Sequence, residues 1–201
     1  MITRFGIRAH RGGNRPGEAV TWRSSDAATP CPTAIFLLPG ALYCAATPSR
    51  VTTILGSCVA LCLWDTRLRL GGINHYLLPH RCGAHPSLRF GDTAIEQLLE
   101  QMTGLGCQPE TLQAKLFGGA GVLGLATGGD PVGDQNVRVA LAELCRHGIP
   151  LIARQTGGQT GMLIRLLTES GDVTVRRIVR GGTEPGQHYE SVTRGWPTRP
   201  E

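Results

Sequence analysis

The chain contains 201 residues, of which 41% are hydrophobic and 17% charged, and its formal net charge is +5. This length allows one well-buried domain, and no apolar run reaches the roughly 18–20 residues of a membrane span. No sustained apolar segment follows the basic residues at the N-terminus, so neither a secretory signal nor direct membrane insertion is expected. We therefore expect a soluble protein of the cytoplasm.

Residues 1–30 are rich in glycine, arginine, serine and proline and lack hydrophobic periodicity, which predicts a flexible N-terminal extension. The arginines raise the alternative of a nucleic-acid-binding arm. They are scattered, however, and have no aromatic stacking platform, so no nucleic-acid partner is expected. Residues 181–201 have the same character and are predicted to be a flexible tail. Residues 31–180 are predicted to form a single domain.

The elements of this domain are predicted from hydrophobic periodicity and turn residues. In chain order they are a strand at 34–38, two strands that carry Cys58 and His75, a helix from Asp92 to about Gly104, a strand at 114–117, a helix from Asp134 to before Gly148, and strands at 151–154, 162–167 and 173–179. The two aspartates are expected to be the helix N-caps. Because several strands form hairpins, the predicted fold class is α/β, a layered sandwich of mixed or antiparallel sheet with packed helices.

The strands that carry Cys58 and His75 hold the candidate site. Cys58 follows a Gly-Ser turn at the start of its strand, where free backbone N–H groups and a nearby imidazole can lower a thiol pKa. If the hairpin turn is centred on residues 66 and 67, Cys58 lies directly opposite His75, with Cβ atoms about 4.5–5.5 Å apart. A cysteine nucleophile with a histidine base is therefore predicted. The alternatives are a buried apolar cysteine and a satisfied core histidine.

Seven cysteines occur in the sequence, at positions 31, 44, 58, 62, 82, 107 and 145. An odd number without a signal peptide argues against a disulfide framework and for a reducing compartment. A zinc site made of Cys58, Cys62, His75 and Cys82 is an alternative, but this spacing matches no common zinc module. Most of the other cysteines are expected to be small buried apolar residues.

Two glycine-rich segments suggest further alternatives. Residues 119–124 spell the G-x-G-x-x-G pattern of dinucleotide-binding loops just after a predicted strand. The residues that follow cannot form the required helix, so a nucleotide site is not expected. The segment 156–161 has backbone N–H groups that could face a substrate, but a hairpin loop with positive φ values is the preferred interpretation.

The sequence resembles a known family. Thr52-x-x-Leu-Gly-Ser-Cys58-Val-Ala and Gly72-x-Asn74-His75-x-Leu-Leu-Pro79 are similar to CheD, the chemoreceptor glutamine deamidase of bacterial chemotaxis. The similarity continues through Phe90-Gly-Asp-Thr-Ala-Ile-Glu-Gln-Leu-Leu99, Lys115-Leu-Phe-Gly-Gly-Ala120, Gly133-Asp-Gln-Asn136, Gly148-Ile-Pro150 and Gly157-Gly-Gln-Thr-Gly161. It covers roughly residues 34–180, the whole predicted domain.

The resemblance implies a catalytic triad at Cys58, His75 and Thr52, in which Thr52 orients the histidine. It places Gly56, Ser57 and Asn74 in the neighbourhood of the substrate or the oxyanion. It also implies a layered fold shared with glutamine-deamidating toxins and no metal or organic cofactor. The expected partners are the cytoplasmic helices of chemoreceptors and, in some relatives, a CheC-type phosphatase.

The function expected from the resemblance is hydrolysis of specific receptor glutamines to glutamate, with release of ammonia, through a cysteine thioester. Such an enzyme is a protein-glutamine glutaminase, a hydrolase of chemotaxis. The alternative is a non-catalytic chemotaxis adaptor that binds a CheC-type phosphatase or a receptor. A cysteine-peptidase interpretation would require a cleft for an extended chain, and the sequence gives no sign of one.

Overall fold

A computed structural model describes residues 32–81, 83, 85–121, 130–178 and 190–193. The predicted extension at 1–30 and most of the predicted tail lie outside the described residues, as does Cys82. In chain order the elements are β1 (Thr33–Phe36), β2 (Ala41–Cys44), β3 (Ser49–Leu55), β4 (Val59–Asp65), β5 (Leu70–His75), α1 (Gly91–Gly104), a 3₁₀ turn (Pro109–Thr111), β6 (Leu112–Gly118), α2 (Val132–Arg146), β7 (Leu151–Thr156), β8 (Met162–Leu167), β9 (Val173–Arg177) and β10 (Glu190–Thr193).

The strands form two sheets. The outer sheet has the strand order β1-β3-β8-β9-β10, and the central sheet has the order β2-β5-β4-β6-β7. Pairs β1–β3 and β6–β7 are parallel and the others are antiparallel. The predicted class, a layered α/β sandwich with a mixed or antiparallel sheet and packed helices, is confirmed. Neither helix in the described residues is long and apolar enough to cross a membrane.

The central sheet is covered on both faces, which accounts for the apolar sequence of β4. Val59, Leu61 and Leu63 pack with side chains of α1 and α2. Ala60 and Cys62 point the other way and pack with residues of β3, β8 and β9 from the outer sheet. Because successive residues of a strand face opposite sides, every residue of β4 is buried. The layers are therefore outer sheet, central sheet and helices.

The predicted register of the β4–β5 hairpin is wrong by two residues. Asp65 pairs with Leu70, so the loop consists of residues 66–69 and the turn is centred one residue later than predicted. The carboxylate of Asp65 accepts hydrogen bonds from the N–H groups of Arg67 and Leu68, at 2.9 and 2.7 Å. An aspartate that binds backbone groups two and three residues ahead stabilises such a loop.

The predicted N-caps of the two helices are also wrong. Phe90 occupies the N-cap position of α1 and Pro131 that of α2, and neither side chain caps its helix. Asp92 and Asp134 lie in the first turns, where a carboxylate interacts favourably with the positive end of the helix dipole. The two aspartates therefore do favour the helix starts, but they do so from inside the first turn and not from the N-cap position.

The predicted strands left out β3, which has seven residues, and two short strands. β2 pairs antiparallel with β5 at the edge of the central sheet. β10 pairs antiparallel with β9 and contributes the four residues Glu190–Thr193, which lie within the stretch predicted to be a tail. Each of the two short strands has only four residues, which is too short for an alternating pattern to stand out.

Candidate active site

Cys58 lies in the tight connection between β3 and β4 and is partly exposed. Hydrogen bonds from the chain just after β6 fix this connection on both sides of the cysteine. The N–H of Gly119 donates to the carbonyl of Cys58, and the N–H of Ala120 donates to the carbonyl of Gly56, each at 2.8 Å. The cysteine is therefore held by backbone contacts from a neighbouring strand.

The glycines at this contact are required by close packing. Gly118 has φ +104°, and a Cβ at this position would collide with the carbonyl of Cys58. A Cβ on Gly133, in the first turn of α2, would collide with the carbonyl of Gly119. Gly119, the first glycine of the G-x-G-x-x-G pattern, has φ +70°, and a Cβ there would collide with the Val137 side chain and the carbonyl of Gly133. These glycines let three backbone segments meet beside Cys58. Close backbone packing is therefore a structural role for these glycines.

Asn136, a fully buried residue of α2, contacts the same connection from the helix side. Its Nδ2 donates to the carbonyls of Ser57 and Leu77, at 3.1 and 2.9 Å. The hydroxyl of Tyr76 donates to the backbone carbonyl of Asn136 at 2.7 Å. One side chain thus joins α2 to the two chain segments at the open end of the β4–β5 hairpin. The sequence analysis did not single out this residue.

His75, at the end of β5, faces the space between the two sheets and is only 1% exposed. The last backbone pair between β4 and β5 joins Val59 and Tyr76, with N–H···O distances of 3.1 and 3.0 Å. Cys58 therefore lies opposite Leu77, and the prediction that it lies opposite His75 is wrong. Because the register differs by two residues, Cys58 and His75 still share one face. They are diagonal neighbours, a relationship with a typical spacing of about 7–8 Å.

A hydroxyl of the outer sheet orients the imidazole of His75. Thr53 Oγ1 lies 2.8 Å from His75 Nδ1 and donates to the carbonyl of Leu37, also at 2.8 Å. A threonine hydroxyl has one hydrogen, and the carbonyl can only accept, so Thr53 accepts from Nδ1–H. This tautomer leaves a lone pair on Nε2, which is buried and has no hydrogen-bond partner among the described residues.

Thr52, the threonine implied by the resemblance, is not the one that contacts His75. Alternation along β3 buries Thr53 with Val51 and Leu55 and turns Thr52 to the other face of the outer sheet. The carbonyl of Thr52 accepts the N–H of Leu37 at 2.8 Å. The sequence held a signal for this choice, since Thr53 alternates with two apolar residues and Thr52 does not.

Asn74 supports the hairpin from the face of β5 that points away from His75. Its Oδ1 accepts the N–H of Leu61 at 3.0 Å, a position where a regular ladder would use a backbone carbonyl. The side chain is fully buried. The structure therefore places Gly56 and Ser57 beside the cysteine, but places Asn74 on the opposite face of the strand from the histidine.

Burial sets the electrostatics of the pair. It raises the pKa of the Cys58 thiol, although the N–H of the same residue acts in the opposite direction. It also lowers the pKa of His75 to about 4, partly offset by a backbone hydrogen bond at Leu37. Both effects disfavour charge, so the resting pair at neutral pH is a thiol and a neutral imidazole. This differs from the lowered thiol pKa expected from the sequence.

Within the described ranges, no group of three or more histidine, cysteine, aspartate or glutamate residues is placed to hold a metal ion. Cys82, one member of the alternative zinc set, lies outside those ranges. Cys62 is fully buried between the sheets, where burial raises its thiol pKa to about 12.

Comparison with known proteins identifies the family. The model of the family described as CheD chemotactic sensory transduction matches residues 77–177. A probable chemoreceptor glutamine deamidase CheD of Rhodospirillum rubrum is 50% identical over 143 residues, which cover 71% of this chain and 81% of the relative. The similarly named protein of Trichlorobacter lovleyi is 41% identical over 145 residues, or 71% of this chain and 89% of the relative. A probable chemoreceptor glutamine deamidase CheD 1 of Anaeromyxobacter dehalogenans is 40% identical over 144 residues, or 72% and 84%. These matches confirm the resemblance seen in the sequence motifs, and the chain belongs to the CheD family.

Proposed function

We propose that this protein is a chemoreceptor glutamine deamidase, which hydrolyses glutamine side chains of methyl-accepting chemotaxis proteins to glutamate and ammonia. The observation that carries the proposal is the state of His75. Its Nδ1–H is bound by Thr53, and its Nε2 lone pair is free on the face that it shares with Cys58. Two relatives named for this activity are 50% and 41% identical to this chain over 143 and 145 residues.

In the first half of the reaction, Nε2 of His75 removes the thiol proton of Cys58 as sulfur attacks the carboxamide carbon. Because the resting pair is neutral, proton transfer accompanies attack rather than preceding it. The carboxamide oxygen becomes an oxyanion, for which the N–H of Cys58 is a donor on the same residue. One such donor contributes roughly 2.7–4 kcal/mol in a comparable site.

In the second half, the imidazolium of His75 returns its proton to the departing nitrogen, and ammonia leaves. The product is a thioester between Cys58 and the glutamyl side chain. The same imidazole then activates water, which attacks the thioester and releases glutamate and the thiol. The hydroxyl of Thr53 holds the ring in the required tautomer throughout, as the third member of a triad does.

The partners and location follow from the family resemblance. The substrate segment belongs to the cytoplasmic helices of chemoreceptors, so the protein acts in the cytoplasm. A CheC-type phosphatase is the second partner. Co-purification of this chain with a CheC-type protein from the same bacterium tests the second partner. If the two purified proteins form no complex when they are mixed, the CheC-type phosphatase is not a partner.

The test of the activity is mass spectrometry of receptor fragments incubated with the protein. Conversion of glutamine to glutamate adds about one dalton and releases ammonia. Cys58→Ala should abolish the reaction, and His75→Asn should lower turnover by at least about 10²–10⁴-fold. The double variant should be little worse than Cys58→Ala because the two residues act as a unit. A folded His75→Asn protein that retained more than a tenth of the activity would exclude His75 as the base.

A further inference from the structure

Asn136 occupies an unusual position for a buried asparagine. Both hydrogens of its Nδ2 are used, one by the carbonyl of Ser57 and one by the carbonyl of Leu77. Its Oδ1 is buried and has no hydrogen-bond partner within the described part of the chain. An unsatisfied buried acceptor costs about 1–3 kcal/mol, and such groups call for a functional explanation. The side chain is therefore placed for what its amide donates.

One of these two carbonyls shares a peptide unit with the nucleophile. The carbonyl of Ser57 and the N–H of Cys58 belong to the same planar trans group, so they point in opposite directions. A bond that draws the Ser57 carbonyl toward α2 turns the Cys58 N–H away from the helix layer. That is also the side of the central sheet on which the Cys58 side chain lies, since it packs against the cluster of residues between the two sheets.

The second carbonyl fixes the other side of the opening. Leu77 lies opposite Cys58, one step beyond the last backbone pair at Val59 and Tyr76. Past that pair, the amide of Asn136 joins the two chain segments. Asn136 therefore fixes the position of the peptide before Cys58 relative to both α2 and the segment that follows His75.

We infer that Asn136 is a positioning residue that aims the backbone N–H of Cys58 at the oxyanion formed during attack on the carboxamide. The inference rests on the proposed function, because an oxyanion forms only in acyl transfer. It extends that function by assigning the orientation of the donor to one side chain of α2. Asn136 itself contacts neither the substrate nor the reacting atoms.

The chemistry of the side chain makes the inference testable by substitution. Two carbonyls require two donor hydrogens, which a primary amide supplies and a carboxylate does not. Asn136→Asp keeps the shape but puts a carboxylate against two carbonyl oxygens. Burial and the missing donors raise the pKa of that carboxyl group, and its neutral form can donate one of the two hydrogen bonds.

The first measurement is the pH dependence of deamidation of a receptor fragment by the full chain. At pH 8, Asn136→Asp and Asn136→Ala should each lower kcat by roughly ten- to a hundred-fold, less than the 10²–10³-fold loss when an oxyanion donor is removed. Between pH 8 and 5.5 the rate of Asn136→Asp relative to the unmodified chain should rise several-fold. Asn136→Ala has no titratable group, so its relative rate should stay constant.

The second measurement separates the orientation of the Cys58 N–H from the position of the Cys58 thiol. Alkylation of Cys58 by iodoacetamide displaces iodide and forms no oxyanion, so it reports only whether the thiol is accessible and intact. Asn136→Ala should alkylate at Cys58 within about threefold of the unmodified rate while its deamidation falls. Tyr76→Phe removes a buried bond to the backbone of the same helix residue and leaves the amide in place. It should lower thermal stability and leave both rates near normal.

The outcomes distinguish the inference from the function on which it rests. A chain that deamidates no receptor fragment overturns the proposed function and the role of Asn136 with it. A chain that deamidates normally, with Asn136→Ala losing alkylation and deamidation in proportion, overturns the positioning role alone. If Asn136→Asp does not fold, Asn136→Ala decides the question through the ratio of the two rates. A parallel pH profile for both variants also excludes the role.

Discussion

Thr53 and Thr52 are adjacent residues with opposite orientations, and they form a matched pair for mutation. Thr53→Val removes the acceptor for His75 Nδ1–H and the donor to Leu37, which leaves buried polar groups unpaired at a cost of about 1–3 kcal/mol each. We expect turnover to fall at least about tenfold, which is less than the roughly 10²–10⁴-fold contributed by the proton-transfer group itself, because His75 remains in place. Thr52→Val should retain most of the activity, because its side chain faces the other side of β3. The reverse result would reassign the triad to Thr52.

The depressed pKa of His75 predicts how activity depends on pH. An imidazole must be neutral to accept the thiol proton, and burial keeps His75 neutral down to about pH 4. The acid limb of kcat/KM should therefore lie near pH 4 and not near 6.5, the ordinary histidine value. Deamidation rates measured across this range, at substrate concentrations well below KM, test the assignment. An acid limb near 6.5 would mean that the active base is more exposed than His75.

The same shift has a consequence for stability, with a definite sign. In the unfolded chain His75 binds a proton below about pH 6.5, whereas in the folded chain it does so only below about 4. Between these values the unfolded state holds more protons, so unfolding free energy falls as the pH falls. His75→Asn has no such group, and its unfolding free energy should fall less over this window. Urea unfolding at pH 7 and pH 4.5 measures the difference.

Part of the site could be predicted from the sequence because it depends on local pattern. Side chains alternate with a period of two along a strand. The prediction that Cys58 and His75 share one face therefore holds, even though the predicted register is wrong by two residues. The resemblance implied Thr52 as the partner of His75, whereas the alternation of Thr53 with the apolar residues Val51 and Leu55 indicates that Thr53 turns inward. Asn136 was missed because its contacts join residues 59 and 79 positions apart.

Gly118, at the end of β6, is predicted to be required for both stability and activity. Gly118→Ala combines a positive φ with a collision against the carbonyl of Cys58. We expect it to lower unfolding free energy by more than about 2 kcal/mol and to reduce deamidation by the protein that remains folded. The control is Gly148→Ala after α2, where φ is +64° and a Cβ would meet no described atom within 4 Å.

The control isolates backbone strain, which costs about 1–2 kcal/mol in the left-handed region. Gly148→Ala should therefore lower stability modestly and leave the deamidation rate of the folded protein unchanged. Thermal unfolding combined with the receptor-fragment assay measures both quantities. Equal effects of the two substitutions would show that the contact between β6 and Cys58 has no influence on the site.

The elements predicted best were those whose signals are local. The helices and the long strands other than β3 carry enough residues for their periods to be clear, and the glycine after α2 marked its end. The hairpin turn lies one residue later than predicted, because Asp65 pairs with Leu70 while its carboxylate binds the N–H groups of Arg67 and Leu68. The short strands β2 and β10 are defined by their partners more than by their own sequences.

At the scale of the whole molecule, the candidate site lies where the two sheets meet. Cys58 and His75 belong to segments of the central sheet, whereas Thr53 belongs to the outer sheet. The sequence predicted layers but not their division into two sheets, because strand order depends on pairings such as β3 with β8, more than 100 residues apart. Disturbing the interface between the sheets should therefore affect the tautomer of His75 before it affects the cysteine.

The far edge of the outer sheet provides the last prediction. β10 pairs with β9 through residues 173–175, on the side of that sheet away from β1. A chain ending after Ile178 lacks this strand, and a chain ending after Thr193 keeps it. Each lost backbone hydrogen bond contributes a net of about 0.5–1.5 kcal/mol, and the exposed edge of β9 becomes open to pairing with another chain.

We therefore expect the shorter chain to unfold at lower temperature and to self-associate at high concentration, while the longer chain behaves like the full sequence. Deamidation by the folded fraction should be equal in both. Thr53 lies on β3, which β8 and β9 separate from the removed strand, whereas His75 lies on β5 of the central sheet and Cys58 in the connection between β3 and β4. Calorimetry, light scattering and the receptor-fragment assay on the two chains provide the three readouts. Loss of activity in a shorter chain that remained folded and monomeric would place part of the substrate-binding surface beyond Ile178.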